Sequence, residues 1–272
     1  MMVAIPQIFR APAIASDAAS ARRWPHLQGK VAFVSGGARG IGAAIATRLA
    51  EDGADIAVTY VSNDRSAEEL VDRIRAIGRR ATAFKANSSD AASFRQAIEQ
   101  SHATLGRLDI LVNNAGFVKP GMIDDYSVDE FDLTFYTNVR AAFISIQAAA
   151  KLMGRGGRII NIGSAVGKSY PPAVIGSAAY SMSKGALINL TKAAAREFGP
   201  RGITVNIILP GPTATEGLSA APLEFFEMSM AQCAIKEFAE PFEVGALVSF
   251  LASEEARHIT GSDYAIDSGF SI

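Results

Sequence analysis

Three glycines spaced four and then two residues apart constrain this chain more than any other feature it carries. They lie in the stretch Ser35-Gly36-Gly37-Ala38-Arg39-Gly40-Ile41-Gly42. The apolar run Val31-Ala32-Phe33-Val34 precedes them and reads as a buried strand. Ile41, Ile45 and Leu49 follow four apart, like one face of a helix. A strand, a glycine turn and a helix in that order form a cradle for phosphate. Gly36 permits the sharp turn, Gly40 leaves out the Cβ that would block a pyrophosphate, and Gly42 lets the helix pack close to the strand. The free N–H groups and the positive dipole end of that helix then face the anion.

Strands and helices go on alternating after the cradle. Asp55–Tyr60 reads as a second strand, followed by a helix face of Leu70, Val71, Ile74 and Ile77 that ends at Gly78. Ala81–Lys85 is a third strand, and a helix from about Asp90 to Leu105 sets Phe94 and Ile98 one turn apart. Leu108–Val112 is a fourth strand running into Asn113-Asn114-Ala115-Gly116. Phe131, Phe135, Val139 and Phe143 mark a long helix by their four-residue spacing. Arg158–Ile162 and Thr204–Leu209 read as strands five and six, with a helix from about Tyr180 to Phe198 between them. A short helix near Val244–Leu251 and a strand near Tyr264–Ile266 complete the pattern. Such alternation means right-handed crossovers and an α/β fold: one doubly wound parallel sheet with helices on both faces. Ligands of these sheets sit beyond the carboxyl ends of the strands, where the strand order reverses.

With 272 residues, 49% of them hydrophobic, and no linker or repeat, a single domain is expected. The net charge is −1 and the lysines and arginines are scattered, which argues against nucleic acid or a membrane surface as a main partner. No apolar run approaches the ~20 residues of a membrane-spanning helix. The single cysteine, Cys233, excludes an intrachain disulfide and leaves no metal-ligand spacing; His26, His102 and His258 are isolated and read as surface or packing residues. Residues 1–28 read as an extension, flexible or packed on a partner. Their arginines and serines give a faint transit-peptide flavour that Asp17 and the prolines contradict. The expected location is the cytoplasm.

Tyr180 and Lys184 lie four apart, so they share a helix face one turn from each other. An ammonium held near a phenol favours phenolate. Bringing a tyrosine from about 10 to about 7 takes about 4 kcal/mol, at about 1.36 kcal/mol per unit. A tyrosine so tuned passes a proton to or from an oxygen as hydride moves; by spacing alone, the pair reads rather as an aromatic and a lysine stem packed on a helix. Ser164 follows strand five, where its hydroxyl can hold a substrate oxygen. Asn138 falls inside a helix, where asparagine fits only if it caps, hydrogen-bonds or kinks; buried there, it can hold a water beside Lys184.

Together these residues resemble the short-chain dehydrogenase/reductase family from Gly29 to Ile272. Five motifs match in order: Gly36-x-x-x-Gly40-x-Gly42, Asn113-Asn114-Ala115-Gly116, Thr137-Asn138-Val139, Tyr180-x-x-x-Lys184 and Pro210-Gly211. The resemblance implies a Rossmann-type sheet of seven strands in the order 3-2-1-4-5-6-7 and a homotetramer joined through the fourth and fifth helices. It implies a catalytic set of Asn138, Ser164, Tyr180 and Lys184, in which Tyr180 transfers the proton and Ser164 orients the substrate. Lys184 holds the nicotinamide ribose and lowers the tyrosine pKa, and Asn138 completes a water-linked relay. The cofactor is expected along Ser35, Gly36, Arg39, Gly40, Ile41 and Gly42, then at Tyr60 and Asn87. Asn114, Ala115 and Gly116, with Tyr180, Lys184, Pro210, Gly211 and Thr213, complete its expected site.

Three departures from the family pattern stand out. Ser35 replaces a more usual threonine, and Asn87 stands where many members have the aspartate that contacts adenine. Ser164 and Tyr180 are 16 positions apart, a longer spacing than usual, so that extra residues around Pro171–Ile175 are expected to bulge into the substrate mouth. Ser169 is a second candidate for the serine, but Asn161-Ile162-Gly163-Ser164 directly after the strand favours Ser164.

An acid after the second strand, which would bond a ribose 2′-hydroxyl, is missing: Tyr60, Val61, Ser62 and Asn63 stand there. Arg39 offers a planar donor to a 2′-phosphate, so NADP(H) is favoured over NAD(H). A lid over residues 213–238 carries Leu218, Phe225, Phe226, Met228, Met230 and Ile235, suited to an apolar or acyl substrate, alongside Glu216, Glu224 and Glu227, which an acidic carrier protein would repel. The expected activity is an NADPH-dependent reduction of a ketone or aldehyde, with resemblance to the 3-oxoacyl-acyl-carrier-protein reductase branch. The alternatives are an NAD(P)-linked sugar, polyol or steroid alcohol dehydrogenase and, from another class, a nucleotide-binding regulator with little turnover.

Overall fold

The computed structural model describes residues 26–219 and 222–272. Residues 1–25 of the expected extension, and two residues of the expected lid, lie outside them. Seven strands are laid down as β1 Val31–Val34, β2 Asp55–Tyr60, β3 Ala81–Lys85, β4 Ile110–Asn113, β5 Arg158–Ile162, β6 Thr204–Pro210 and β7 Asp263–Ile266. All pair in parallel, in the order β3-β2-β1-β4-β5-β6-β7. This is the seven-stranded, Rossmann-type single domain that the motifs implied. The order reverses between β1 and β4, which opens the crevice where ligands of such sheets bind.

Strand alternation divides the core into two. Ala32 and Val34 of β1 face one layer, and Val31 and Phe33 face the other. The first layer receives Ile45 and Leu49 of α1 (Gly40–Glu51), Leu70 and Ile74 of α2 (Asp64–Ala76), and Val244, Val248 and Leu251 of the helix Pro241–Ala252. The second receives Phe94 and Ile98 of α3 (Ala91–Leu105), Ile146 and Ala149 of α5 (Ala141–Leu152), and Ala194 of α6 (Ala178–Phe198). Phe33 meets Phe94 edge to face, with ring centroids 6.2 Å apart. Asp90 caps α3 by accepting from the backbone N–H groups of Ala92 and Ser93.

Three local expectations change. Ile77 closes α2 as its C-cap and is exposed, so the helix buries only Leu70, Val71 and Ile74 of the four. β4 starts at Ile110 and takes in Asn113. The stretch carrying Phe131, Phe135, Val139 and Phe143 is not one regular helix: α4 (Val128–Phe135) passes through a π turn at Tyr136–Arg140 before α5 begins. Its apolar stripe does not face the core, since Phe143 is exposed and the other three are half-buried. Thr134, Asn138, Ala141, Ala142 and Ser145 point inward instead, because only small or hydrogen-bonded side chains fit the close approach of this segment to the sheet and α6.

Residues 26–28, assigned from sequence to the extension, are tied to the body. Leu27 is buried and donates its N–H to the Asp52 carbonyl, and His26 Nε2 lies 3.0 Å from Ser249 Oγ. Close by, at the start of β2, Asp55 forms a clamp. Burial raises its pKa, but the Arg80 backbone N–H and guanidinium, followed by the Arg79 guanidinium, outweigh that and hold it below its ordinary value. A carboxylate with a depressed folded pKa adds stability above its unfolded pKa of about 3.9, and that stability is lost as pH falls through the lower folded value. Urea melts should therefore show Asp55→Asn destabilised at pH 7, with the gap to the parent closing as the pH drops below about 4.

Candidate active site

The cradle forms because its glycines are needed where they stand. Gly36 has a φ of +61°, and its N–H donates to Thr59 Oγ1 at 3.1 Å. A Cβ on Gly42 would lie 2.3 Å from the Gly36 carbonyl oxygen and 2.5 Å from Asn114 Nδ2, so this glycine seats the helix against its own loop and the next one rather than against the strand. Arg39 is the N-cap of α1, and no side chain caps the helix there. The first-turn N–H groups thus meet the carboxyl edge of the sheet with no capping side chain on them.

Ser35 is oriented differently from its expected cofactor-binding role. It is buried, and its hydroxyl accepts from the N–H groups of Asn114 and Ala115, both at 3.0 Å, while donating to the Val112 carbonyl at 3.4 Å. It fastens the Asn113–Gly116 turn to the glycine loop. The Asn114 amide repeats the link by donating to the carbonyls of Ser35 and Gly36. Asn113 also turns inward: it donates to Asn161 Oδ1 at 2.8 Å and accepts from Ser145. Asn161 in turn donates to Thr191 at 2.8 Å. This buried chain joins α5, β4, β5 and α6 beneath the site.

Beyond it opens a cleft of about 370 Å³. Its walls bring together Ile41, Asn114, Gly116, Ser164, Tyr180 and Lys184, with Pro210, Gly211 and Thr213 on the far side. Ile162, Gly163, Phe117, Val118 and Thr215 also line it without having been expected as site residues, and Leu218 enters from the expected lid. Each adjoins a motif or begins the lid, and sequence adjacency was the available signal. Asn87 and Tyr60 lie outside these walls. Asn87 is exposed after β3 and accepts from the Ser89 N–H; the Tyr60 hydroxyl bonds the Asp64 carboxylate, which Lys85 Nζ also bonds at 3.0 Å.

Lys184 is buried, and its ammonium donates to the carbonyl of Ile162, the last residue of β5, at 2.9 Å. Nζ lies 5.5 Å from the centre of the Tyr180 ring. Burial alone lowers the Lys184 pKa to about 8, because the ammonium has left water. For Tyr180 the expected lowering is not found. Burial raises the phenol above 10, and a hydrogen bond with the Ser164 hydroxyl pulls the other way without reversing it.

Asn138 occupies the π turn. Its Oδ1 accepts from Phe117 N–H at 2.7 Å, and its Nδ2 donates to the Phe117 carbonyl and to Ser183 Oγ, both at 2.9 Å. These bonds hold the Phe117 wall to α6. The extra residues between Ser164 and Tyr180 also behave differently from a bulge into the mouth. Ala173 and Val174 are buried in a cluster with Val166, Cys233 and Phe270, against which Tyr180, Phe225 and Phe238 pack. Among the described residues no cluster of three His, Cys, Asp or Glu side chains is placed to hold a metal ion, and no helix is long and apolar enough to cross a membrane.

A family model described as enoyl-(acyl carrier protein) reductase matches residues 36–271. A short-chain dehydrogenase/reductase from Serratia marcescens is 45% identical, covering 90% of this chain and 99% of its own, with a TM-score of 0.87. The chain belongs to the short-chain dehydrogenase/reductase family. A short-chain dehydrogenase from Burkholderia cenocepacia, solved in complex with NADP, superposes with a TM-score of 0.88 at 44% identity over 91% of this chain and all of its own. A 3-oxoacyl-[acyl-carrier-protein] reductase of Staphylococcus aureus is 38% identical over 242 residues, which are 88% of this chain and 97% of the relative. As a member of the short-chain dehydrogenases/reductases, the protein is an NAD(P)-dependent oxidoreductase. Its uncapped α1 terminus and the cleft beside it fit such a dinucleotide.

Because Asn138 makes three hydrogen bonds at the cleft wall, Asn138→Ala should cost about 1–3 kcal/mol of stability by leaving buried partners unsatisfied. Denaturant melts check the loss. Hydrogen exchange at Phe117 should quicken in the same variant.

Proposed function

We propose that this enzyme is an NADPH-preferring reductase that converts a ketone or aldehyde to an alcohol, and that Ser164, Tyr180 and Lys184 carry out the chemistry. One observation carries the reading: these three side chains meet in a single cleft that the glycine loop also borders. A bound nicotinamide supplies the hydride to the carbonyl carbon. Ser164 holds the carbonyl oxygen, and Tyr180 delivers its proton there as the C–O double bond becomes single. Lys184, an ammonium below about pH 8, steadies the phenolate left behind and holds the ribose. Asn138 and Ser183 position the wall and helix between which the substrate enters.

Support for NADP(H) over NAD(H) comes from charge. Arg39 is exposed, and its guanidinium makes no hydrogen bond or ion pair among the described residues, so it is available to a 2′-phosphate. The carboxylate that follows β2, Asp64, is paired with Lys85 and bonded by Tyr60. Asn87 is proposed to border the adenine. The Staphylococcus aureus relative makes a 3-oxoacyl compound one candidate substrate.

We further read residues 29–272 as one reductase domain with a substrate lid over 213–238, working in the cytoplasm as a homotetramer. The exposed Val128, Leu133, Tyr136 and Phe143 on α4, the π turn and α5 supply an apolar face for subunit contact.

Tyr180→Phe should lower kcat by at least about 10²-fold while the NADPH Kd, read by fluorescence, stays within about twofold; a variant that keeps its rate removes Tyr180 from proton transfer. Arg39→Ala should weaken NADPH binding by about tenfold and leave NADH nearly unchanged, the loss of one charge-assisted contact. Equal parent affinities for the two cofactors would overturn the NADPH preference.

A further inference from the structure

The lengthened segment between Ser164 and Tyr180 is built, not slack. Pro171 and Pro172 lead into a 3₁₀ turn at Pro172–Val174, the Tyr170 hydroxyl accepts from the Ser177 N–H at 3.1 Å, and Ser177 Oγ donates to the Val174 carbonyl at 2.6 Å. The segment ends at Gly176, whose φ of +86° is left-handed. In that conformation the Gly176 carbonyl accepts the N–H of Gly121 at 2.7 Å. Gly121 belongs to the other wall, three residues after Val118, and lies so close to Tyr126 that a Cβ there would come 2.6 Å from the Tyr126 ring.

We infer that the Gly121–Gly176 hydrogen bond is a clasp joining the two walls of the cleft, and that it makes Gly176 a specificity-determining residue favouring slender, uncharged carbonyl compounds. The inference rests on the reductase reading above. One wall carries Phe117 and Val118, and the other carries Tyr180 four residues after Gly176; tying Gly121 to Gly176 fixes the gap between them. The inner side of the strap is anchored by Ala173 and Val174 in the cluster against which Tyr180, Phe225 and Phe238 pack, so the strap cannot swing aside without disturbing the packing at Tyr180. The outer side presents Ile175, with Val118, Met122 and Ile123 exposed on the facing loop. Among the described residues Lys184 is the only charged side chain lining the cleft, with its ammonium donating to the Ile162 carbonyl; Lys119, on the facing wall, is paired with Glu130. Among the described residues the one cation at the cleft is thus already used by the proposed chemistry, which leaves none for a carboxylate or phosphate on the substrate. A compound that enters must be apolar near its carbonyl and narrow enough to pass a fixed gap.

The test compares Gly176→Val, which a left-handed φ disfavours, with Gly176→Asn, a residue that tolerates it. Hydrogen exchange of the full chain without cofactor reads the clasp. Exchange of the Gly121 amide should quicken about tenfold or more in Gly176→Val and stay near the parent rate in Gly176→Asn. Turnover with NADPH reads specificity, as the ratio of kcat/KM for 2-octanone to that for 3,3-dimethyl-2-butanone. That ratio should fall about tenfold in Gly176→Val, chiefly through KM, and recover in Gly176→Asn, with the NADPH Kd unchanged throughout. If Gly176→Val fails to fold, Tyr170→Phe loosens the same strap from its outer side and should shift both readouts in the same direction. Unchanged exchange at Gly121 overturns the clasp. Quickened exchange with an unchanged ratio overturns the role in specificity. A parent that binds NADPH but reduces neither ketone overturns that role together with the reductase reading, while the exchange result still judges the clasp by itself.

Discussion

The hydrogen bond from the buried Lys184 ammonium to the Ile162 carbonyl is the contact on which the site depends. Removing an ammonium from water is costly, and the lowering of its pKa to about 8 records that cost. One carbonyl at the end of β5 compensates in part and, in doing so, fixes where α6 lies relative to the sheet edge. Tyr180, one turn earlier on the same helix, is thereby aimed at Ser164, which follows the same strand. A strand end and a helix face are both rigid, so the pair inherits its geometry from the fold rather than from a loop.

Polar groups beneath the cleft extend this rigidity. Ser145, Asn113, Asn161 and Thr191 form one buried hydrogen-bonded chain across two strands and two helices. Asn138 and Ser183 form another, between the π turn, the Phe117 backbone and α6. Buried polar chains of this kind are stable only when each member is satisfied, which makes them demanding about register. The π turn is their local consequence: it interrupts the regular helix where the Asn138 amide must reach both a loop and a neighbouring helix.

Much of the fold was legible in the chain because its signals are local. β2, β3 and β5 stand at Asp55–Tyr60, Ala81–Lys85 and Arg158–Ile162 as the alternating pattern placed them, and the glycine loop stands where its spacing placed it. Misreadings arose where periodicity alone had to distinguish core from surface. Phe131, Phe135, Val139 and Phe143 carry a clear four-residue spacing, yet small residues took the inward positions because helices packed this closely leave no room for rings. Ser35 and Asn113 have the polarity and position of ligand-facing residues. Each turned inward because a neighbouring backbone or amide group needed its hydrogen bond.

The order of strands and helices, the glycine cradle, and the presence of a tyrosine and lysine one helical turn apart were determined by the sequence itself, because each depends on residues near one another in the chain. Tertiary structure alone decided which hydroxyls face the cleft, whether the phenol's pKa rises or falls, and that the strap before Tyr180 fastens to a loop more than 50 residues earlier. Those outcomes depend on burial and on partners distant in sequence, and desolvation is a property of the packed environment that no local pattern encodes.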